Sequence, residues 1–141
     1  MNNYTLEQSQ FPPVTLGIDY GRKRIGLALS YGSLAEPLTI IENDERVLEK
    51  LHFVCVEHRV AQLVVGISER EMAVESHQFG QLLTSQLTLP VKYIDENFTS
   101  RAVQEKMQWL GGKQRRKEPI DHLAAAEILQ EWLDQQQSPS E

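Results

Sequence analysis

Asp19, Glu96 and Asp121 are the carboxylates of this chain whose settings suggest chemistry. Asp19 interrupts two β-type stretches, Val14-Thr15-Leu16-Gly17-Ile18 before it and Ile25 to Ser30 after it, and Gly21 supplies a turn residue between them. Glu96 follows the short stretch Val91-Lys92-Tyr93-Ile94-Asp95, and Asp121 opens a segment with helical apolar spacing. Three carboxylates brought together without cations repel one another. A hard divalent ion, Mg²⁺ or Mn²⁺, relieves that repulsion and leaves positions for water and phosphate. Each acid also has a plainer reading: Asp19 bonding its own turn, Glu96 as a solvent-facing strand end, and Asp121 as an N-cap or first-turn residue favoured by the helix dipole.

Two basic runs, Arg22-Lys23-Arg24 and Lys113-Gln114-Arg115-Arg116-Lys117, lie beside turns rather than inside regular elements. They are either solvated surface or a local phosphate-binding groove, depending on whether the fold sets them near the carboxylates. The formal net charge of −6 argues against a protein that coats nucleic acid nonspecifically, since phosphate binding is dominated by Lys and Arg. His122 is either a helix-surface residue or a proton-transfer partner next to Asp121.

The elements that must position these groups follow from periodicity. With 141 residues the chain suits one ordinary core, and 40% hydrophobic with 24% charged residues is the composition of a globular domain. Tails are expected over residues 1–13, where Pro12-Pro13 blocks regular structure, and over 135–141, with one domain spanning 14–134. Strands are predicted at 15–20, 24–30 and 38–41, the last after Pro37. Asn43 or Asp44 then offers an N-cap for a helix carrying Val47, Leu48, Leu51, Val54 and Cys55. The nearly continuous apolar run at 61–67 reads as a strand buried on both faces.

A helix over 74–87, a strand at 91–94, a helix carrying Val103, Met107 and Leu110, and a last helix entered at Pro119 complete the order βββαβαβαα. That order predicts an α/β protein: an antiparallel meander of three strands, then two parallel strands, with helices on both faces. Ligands gather at the carboxyl ends of parallel strands in such sheets, where Asp19 and Glu96 fall. Cys55 excludes an internal disulfide and sits in an apolar stripe, which predicts a buried, inert thiol. No apolar run approaches a membrane span and no signal-peptide core follows Met1, so a cytoplasmic protein is expected.

The run Asp19-Tyr20-Gly21-Arg22-Lys23-Arg24-Ile25-Gly26-Leu27-Ala28-Leu29-Ser30 resembles the opening signature of the YqgF family, the Holliday-junction-resolvase-like nucleases of bacteria. Pro37-Leu38, Val64-Val65-Gly66, Asp95-Glu96 with Thr99-Ser100, and Ile120-Asp121-His122-Leu123-Ala124-Ala125 agree in order. The resemblance implies an RNase H-like fold, cleavage of phosphodiester bonds with Mg²⁺ or Mn²⁺, and maturation of the 5′ end of pre-16S rRNA. It places the family's acidic positions on Asp19, Glu96 and Asp121 as catalytic metal ligands. On that reading two metal ions roughly 4 Å apart generate hydroxide and stabilise the leaving oxygen. Arg22, Lys23 and Arg24, with Lys113, Arg115, Arg116 and Lys117, hold the nucleic-acid backbone.

The expected partners are pre-rRNA or branched DNA and ribosomal assembly intermediates, with the protein a monomer or homodimer. The chain departs from the family pattern at Gly66-Ile67-Ser68-Glu69-Arg70-Glu71-Met72, where Gly-Leu-Pro and an Asn- and Gly-containing loop are usual. It departs again at Asn97, where an arginine usually follows Asp-Glu and supplies a cation beside the site. Two rival readings stand beside the nuclease. One is a nucleic-acid or ribosome-assembly binding module on the same fold without turnover. The other is an actin-like ATPase or sugar kinase, whose phosphate loop also has an Asp-x-Gly turn but which needs two such domains.

Overall fold

The computed structural model describes residues 12–67, 71–95 and 121–137. Its elements are β1 (Thr15–Asp19), β2 (Arg24–Ser30), β3 (Ala35–Glu42), α1 (Val47–His58), β4 (Gln62–Ile67), α2 (Glu71–Leu87), β5 (Val91–Asp95) and α3 (Asp121–Gln137). The strands form one sheet in the order β3-β2-β1-β4-β5. β1 runs antiparallel to β2, and β2 to β3, whereas β4 and β5 lie parallel to β1. The mixed five-stranded sheet predicted from the element order is the one observed. The predicted helix carrying Val103, Met107 and Leu110 lies outside the described residues.

Period-two alternation divides the strand residues between two apolar layers. Leu16, Ile18, Ile25, Leu27, Leu29, Leu63 and Val65 face one side, where Val47, Leu51 and Cys55 of α1 and Phe79 and Leu83 of α2 cover them. Ala28, Val64 and Ile94 face the other, under Ala125, Ala126, Ile128, Leu129 and Leu133 of α3. Helices therefore flank both faces of the sheet. β1 is central: β2 and β4 fill its two hydrogen-bonding edges, and the helix layers bury its two faces.

The side chains under α3 are small for a reason. A Cβ at Gly17 would lie 2.7 Å from Leu129 Cβ and 3.2 Å from the Ala125 carbonyl oxygen, so α3 rests directly on the β1 backbone. Its direction is set at the other end by Gln130. That buried amide accepts from Ala35 N at 2.9 Å and donates to the Ser33 carbonyl at 3.0 Å, beside the β2–β3 turn. Successive α3 residues thus travel antiparallel to β1, and the first turn of the helix lies toward the Asp19 end.

Several boundaries differ from expectation, some by a single residue and four by more. β3 begins at Ala35, not Leu38, and passes through Pro37. It is an edge strand, where a missing N–H is tolerated, and the register shift between Leu27 and Ala28 leaves Leu38 as the extra residue of a bulge. α1 begins at Val47 with Arg46 at its N-cap and no side-chain cap. Asp44 instead shapes the preceding turn, accepting from Arg46 N at 3.0 Å and from Lys50 Nζ at 3.1 Å. α2 starts at Glu71 rather than residue 74, and α3 continues to Gln137, past the domain end expected at 134. No described helix is long and apolar enough to cross a membrane.

Candidate active site

Asp19 is the last residue of β1, paired in register with Gly26 of β2 and half-buried. The turn that follows is tightly closed. A Cβ on Gly21 would collide with the Arg24 carbonyl oxygen, so this position tolerates no side chain in the observed turn. Asn43, just past β3, holds the turn from the side: its Nδ2 donates to the Gly21 carbonyl at 2.8 Å and its backbone N donates to the Lys23 carbonyl at 2.8 Å. Tyr20 packs against Phe79 of α2, with ring centroids 4.8 Å apart. The result is a depression of about 320 Å³ lined by Asp19, Tyr20, Gly21, Lys23 and Arg24. A carboxylate and two cations share its wall, which suits a metal ion and the phosphate it accompanies.

Two of the three predicted basic residues of the turn line this depression. Arg22 is engaged elsewhere: its Nε donates to both carboxylate oxygens of Glu75 at 3.0 Å, and its Nη2 donates to Oε2 at 2.7 Å. The hydrogen bond from Arg22, reinforced by its positive charge, holds the Glu75 carboxyl below its ordinary range. Asn43 and Glu75 are the site neighbours that sequence reasoning missed. Asn43 carries a signal, since a polar residue directly after a strand stabilises turns, but by sequence it is equally a candidate helix cap. Glu75 carried none, because it lies 53 residues from Arg22 along the chain.

The carboxyl edge of the parallel strands is formed by Asp19, Ile67 and Asp95. Ile18 pairs with Val65 and Ile67 pairs with Asp95, which sets the ends of β1 and β5 on either side of β4, roughly 10 Å apart. Glu96 follows Asp95 but lies outside the described residues, as do Lys113, Arg115, Arg116 and Lys117. Asp121 is the first residue of α3, at the end of that helix nearer Asp19; its side chain and that of His122 lie outside the description.

Among the described residues no three His, Cys, Asp or Glu side chains gather as a cation site. The donor chemistry nevertheless fits a hard cation, since Asp19, a carboxylate residue, is among those that line the depression. The soft ligand Cys55 is buried beneath the sheet, and burial pushes its thiol up to about 11.

Comparison with known proteins agrees with this architecture. The sequence model of the RuvX Holliday junction resolvase family matches residues 13–135. A protein of Sulfurihydrogenibium sp. (strain YO3AOP1) named "Putative pre-16S rRNA nuclease" is 36% identical over 129 residues, covering 84% of this chain and 88% of that protein. A protein of the same name from Thermosynechococcus vestitus is 38% identical over 135 residues, covering 84% of this chain and 86% of its own length. Among solved structures, Thermus thermophilus RuvC in complex with a Holliday junction substrate is similar with a TM-score of 0.60 at 16% identity, covering 85% of this chain and 92% of that one.

The fowlpox virus Holliday junction resolvase is similar with a TM-score of 0.55 at 10% identity, covering 86% of this chain and 99% of that one. Identities this low speak for the fold, and the RNase H-like arrangement expected from the sequence is the one these resolvases share. With the family model spanning nearly the whole chain and two relatives above one-third identity, this chain belongs to the RuvX family of Holliday junction resolvases.

Proposed function

We propose that this chain is a divalent-metal-dependent endonuclease that hydrolyses phosphodiester bonds, acting on the 5′ end of pre-16S rRNA within ribosomal assembly intermediates. The observation that carries this reading is the half-buried Asp19 carboxylate at the carboxyl end of the central strand, sharing one depression with Lys23 and Arg24. Family membership supports the phosphodiester chemistry, and the names of the relatives support the RNA substrate.

Asp19, Glu96 and Asp121 are the residues assigned to hold Mg²⁺ or Mn²⁺. The chemistry expected of such an ion is polarisation of a phosphoryl oxygen and activation of water. Lys23 and Arg24 neutralise phosphates flanking the scissile bond, and Lys113, Arg115, Arg116 and Lys117 hold the strand beyond it. Such contacts position the backbone without reading its sequence. Asn43 keeps the turn closed so that Asp19 and the two cations hold their relative places before substrate arrives.

Asp19→Asn removes charge while conserving shape. Groups one shell removed from a bound metal already contribute 10–100-fold, so loss of a direct ligand is expected to lower Mg²⁺- or Mn²⁺-dependent cleavage by more than ~100-fold. A transcript spanning the 5′ end of 16S rRNA, followed on a denaturing gel beside a branched DNA, tests both the residue and the substrate. Cleavage by Asp19→Asn at the wild-type rate overturns the assignment. Binding of the transcript without cleavage by the wild type indicates a binding module instead.

A further inference from the structure

Arg22 occupies the β1–β2 turn, three residues past Asp19, where a phosphate-binding cation is expected. A carboxylate is already on it. Through Nε and Nη2 the guanidinium donates to both oxygens of Glu75 at 2.7–3.0 Å, using an edge through which a phosphate can be held bidentately. Glu75 belongs to the first turns of α2, the helix that follows the carboxyl end of β4, so its charge stands at the same edge of the sheet as Asp19. The pair is open to solvent, with side-chain exposures of 58% for Arg22 and 33% for Glu75. Water and salt weaken such a pair, and an arriving phosphate exchanges for the carboxylate at little cost.

We propose that Glu75 is a latch on Arg22: it occupies the guanidinium in the free protein and is displaced by a nucleic-acid phosphate, thereby setting the affinity and salt response of the β1–β2 turn. The inference rests on the reading of this turn as a nucleic-acid contact. Glu75 touches no reacting atom, so its role is that of a positioning residue. Charge balance makes the latch measurable. When phosphate takes Arg22 in the wild type, one carboxylate is released as another anion is bound, and the exchange liberates almost no net counterion. With Glu75→Gln the same contact liberates roughly 0.7–0.9 of a counterion.

The test is fluorescence anisotropy with a fluorescein-labelled, phosphorothioate-linked RNA stem-loop, with Mg²⁺ held constant and KCl varied. Wild type, Glu75→Gln, Arg22→Ala and the double variant are compared, each checked by thermal melting. Glu75→Gln is expected to bind about two- to fivefold more tightly at low salt. Its plot of log Kd against log salt should be steeper by roughly 0.7–0.9. Arg22→Ala should cancel both effects in the double variant. A purely structural role for the pair would shift melting and leave the salt slope alone.

If Arg22→Ala binds as well as the wild type, the reading of the turn fails and the latch with it. If Arg22→Ala weakens binding while Glu75→Gln matches the wild type or binds more weakly, the latch alone is overturned. Should Glu75→Gln melt early, Glu75→Ala takes its place with the same expected outcomes.

Discussion

Cys55 shows how position in the fold decides the chemistry of a single side chain. Its thiol, 6% exposed under the sheet, is pushed by burial from an ordinary 9.0 up to about 11. The folded state therefore keeps the neutral thiol where the unfolded chain ionises. Stability from this source is complete below about pH 9 and is lost as pH rises through about 11, by roughly 2–3 kcal/mol in all. Urea unfolding at pH 8 and pH 10.5 should show that decline in the wild type and a flatter response in Cys55→Ala. The inertness of this thiol was legible in the sequence, because Val47, Leu51 and Cys55 share one helical stripe. The partner of Arg22 was not, since no local pattern connects a turn residue to a helix residue 53 positions away.

Among the elements, α3 on β1 is the contact that most constrains the candidate site. Its helix is pressed against Gly17, two residues before Asp19, so any added volume there moves the helix whose first residue is Asp121. Gly17→Ala would set a methyl 2.7 Å from Leu129 Cβ, and overpacking of this type destabilises by about 1–3 kcal/mol. Thermal melting should report that loss, and cleavage should fall more than global stability accounts for. The β1, β2 and β4 assignments were readable because alternation or continuous apolarity states burial directly. β3 was read short because Pro37 signals a break locally, and only its place at the edge of the sheet makes the proline acceptable. The start of α1 was misplaced because Asn43 and Asp44, both good capping residues, are used by the turn beside Asp19 and by Lys50 instead.

For the molecule as a whole, a net charge of −6 means that binding a polyanion depends on a local field. Lys23, Arg24, Lys113, Arg115, Arg116 and Lys117 are the six cations assigned to phosphate, with Arg22 offset by Glu75. Six contacts predict that raising KCl from about 50 to about 200 mM weakens RNA binding roughly 10³-fold, a slope that filter binding measures. A nearly flat response would show that these residues do not carry the backbone.

Much of this protein was determined by its sequence alone: the class of the sheet, the order of the elements that the structure describes, the family signature around Asp19, and the placement of Asp19 at a strand end. Those properties arise from short-range periodicity and turn chemistry, which neighbouring residues encode between themselves. Only the tertiary structure decided that Asn43 closes the Asp19 turn, that α3 lies antiparallel to β1 across Gly17, and that Glu75 holds Arg22. Each of these depends on strand register and on the close approach of surfaces remote in the chain, so it exists only once the layers have packed.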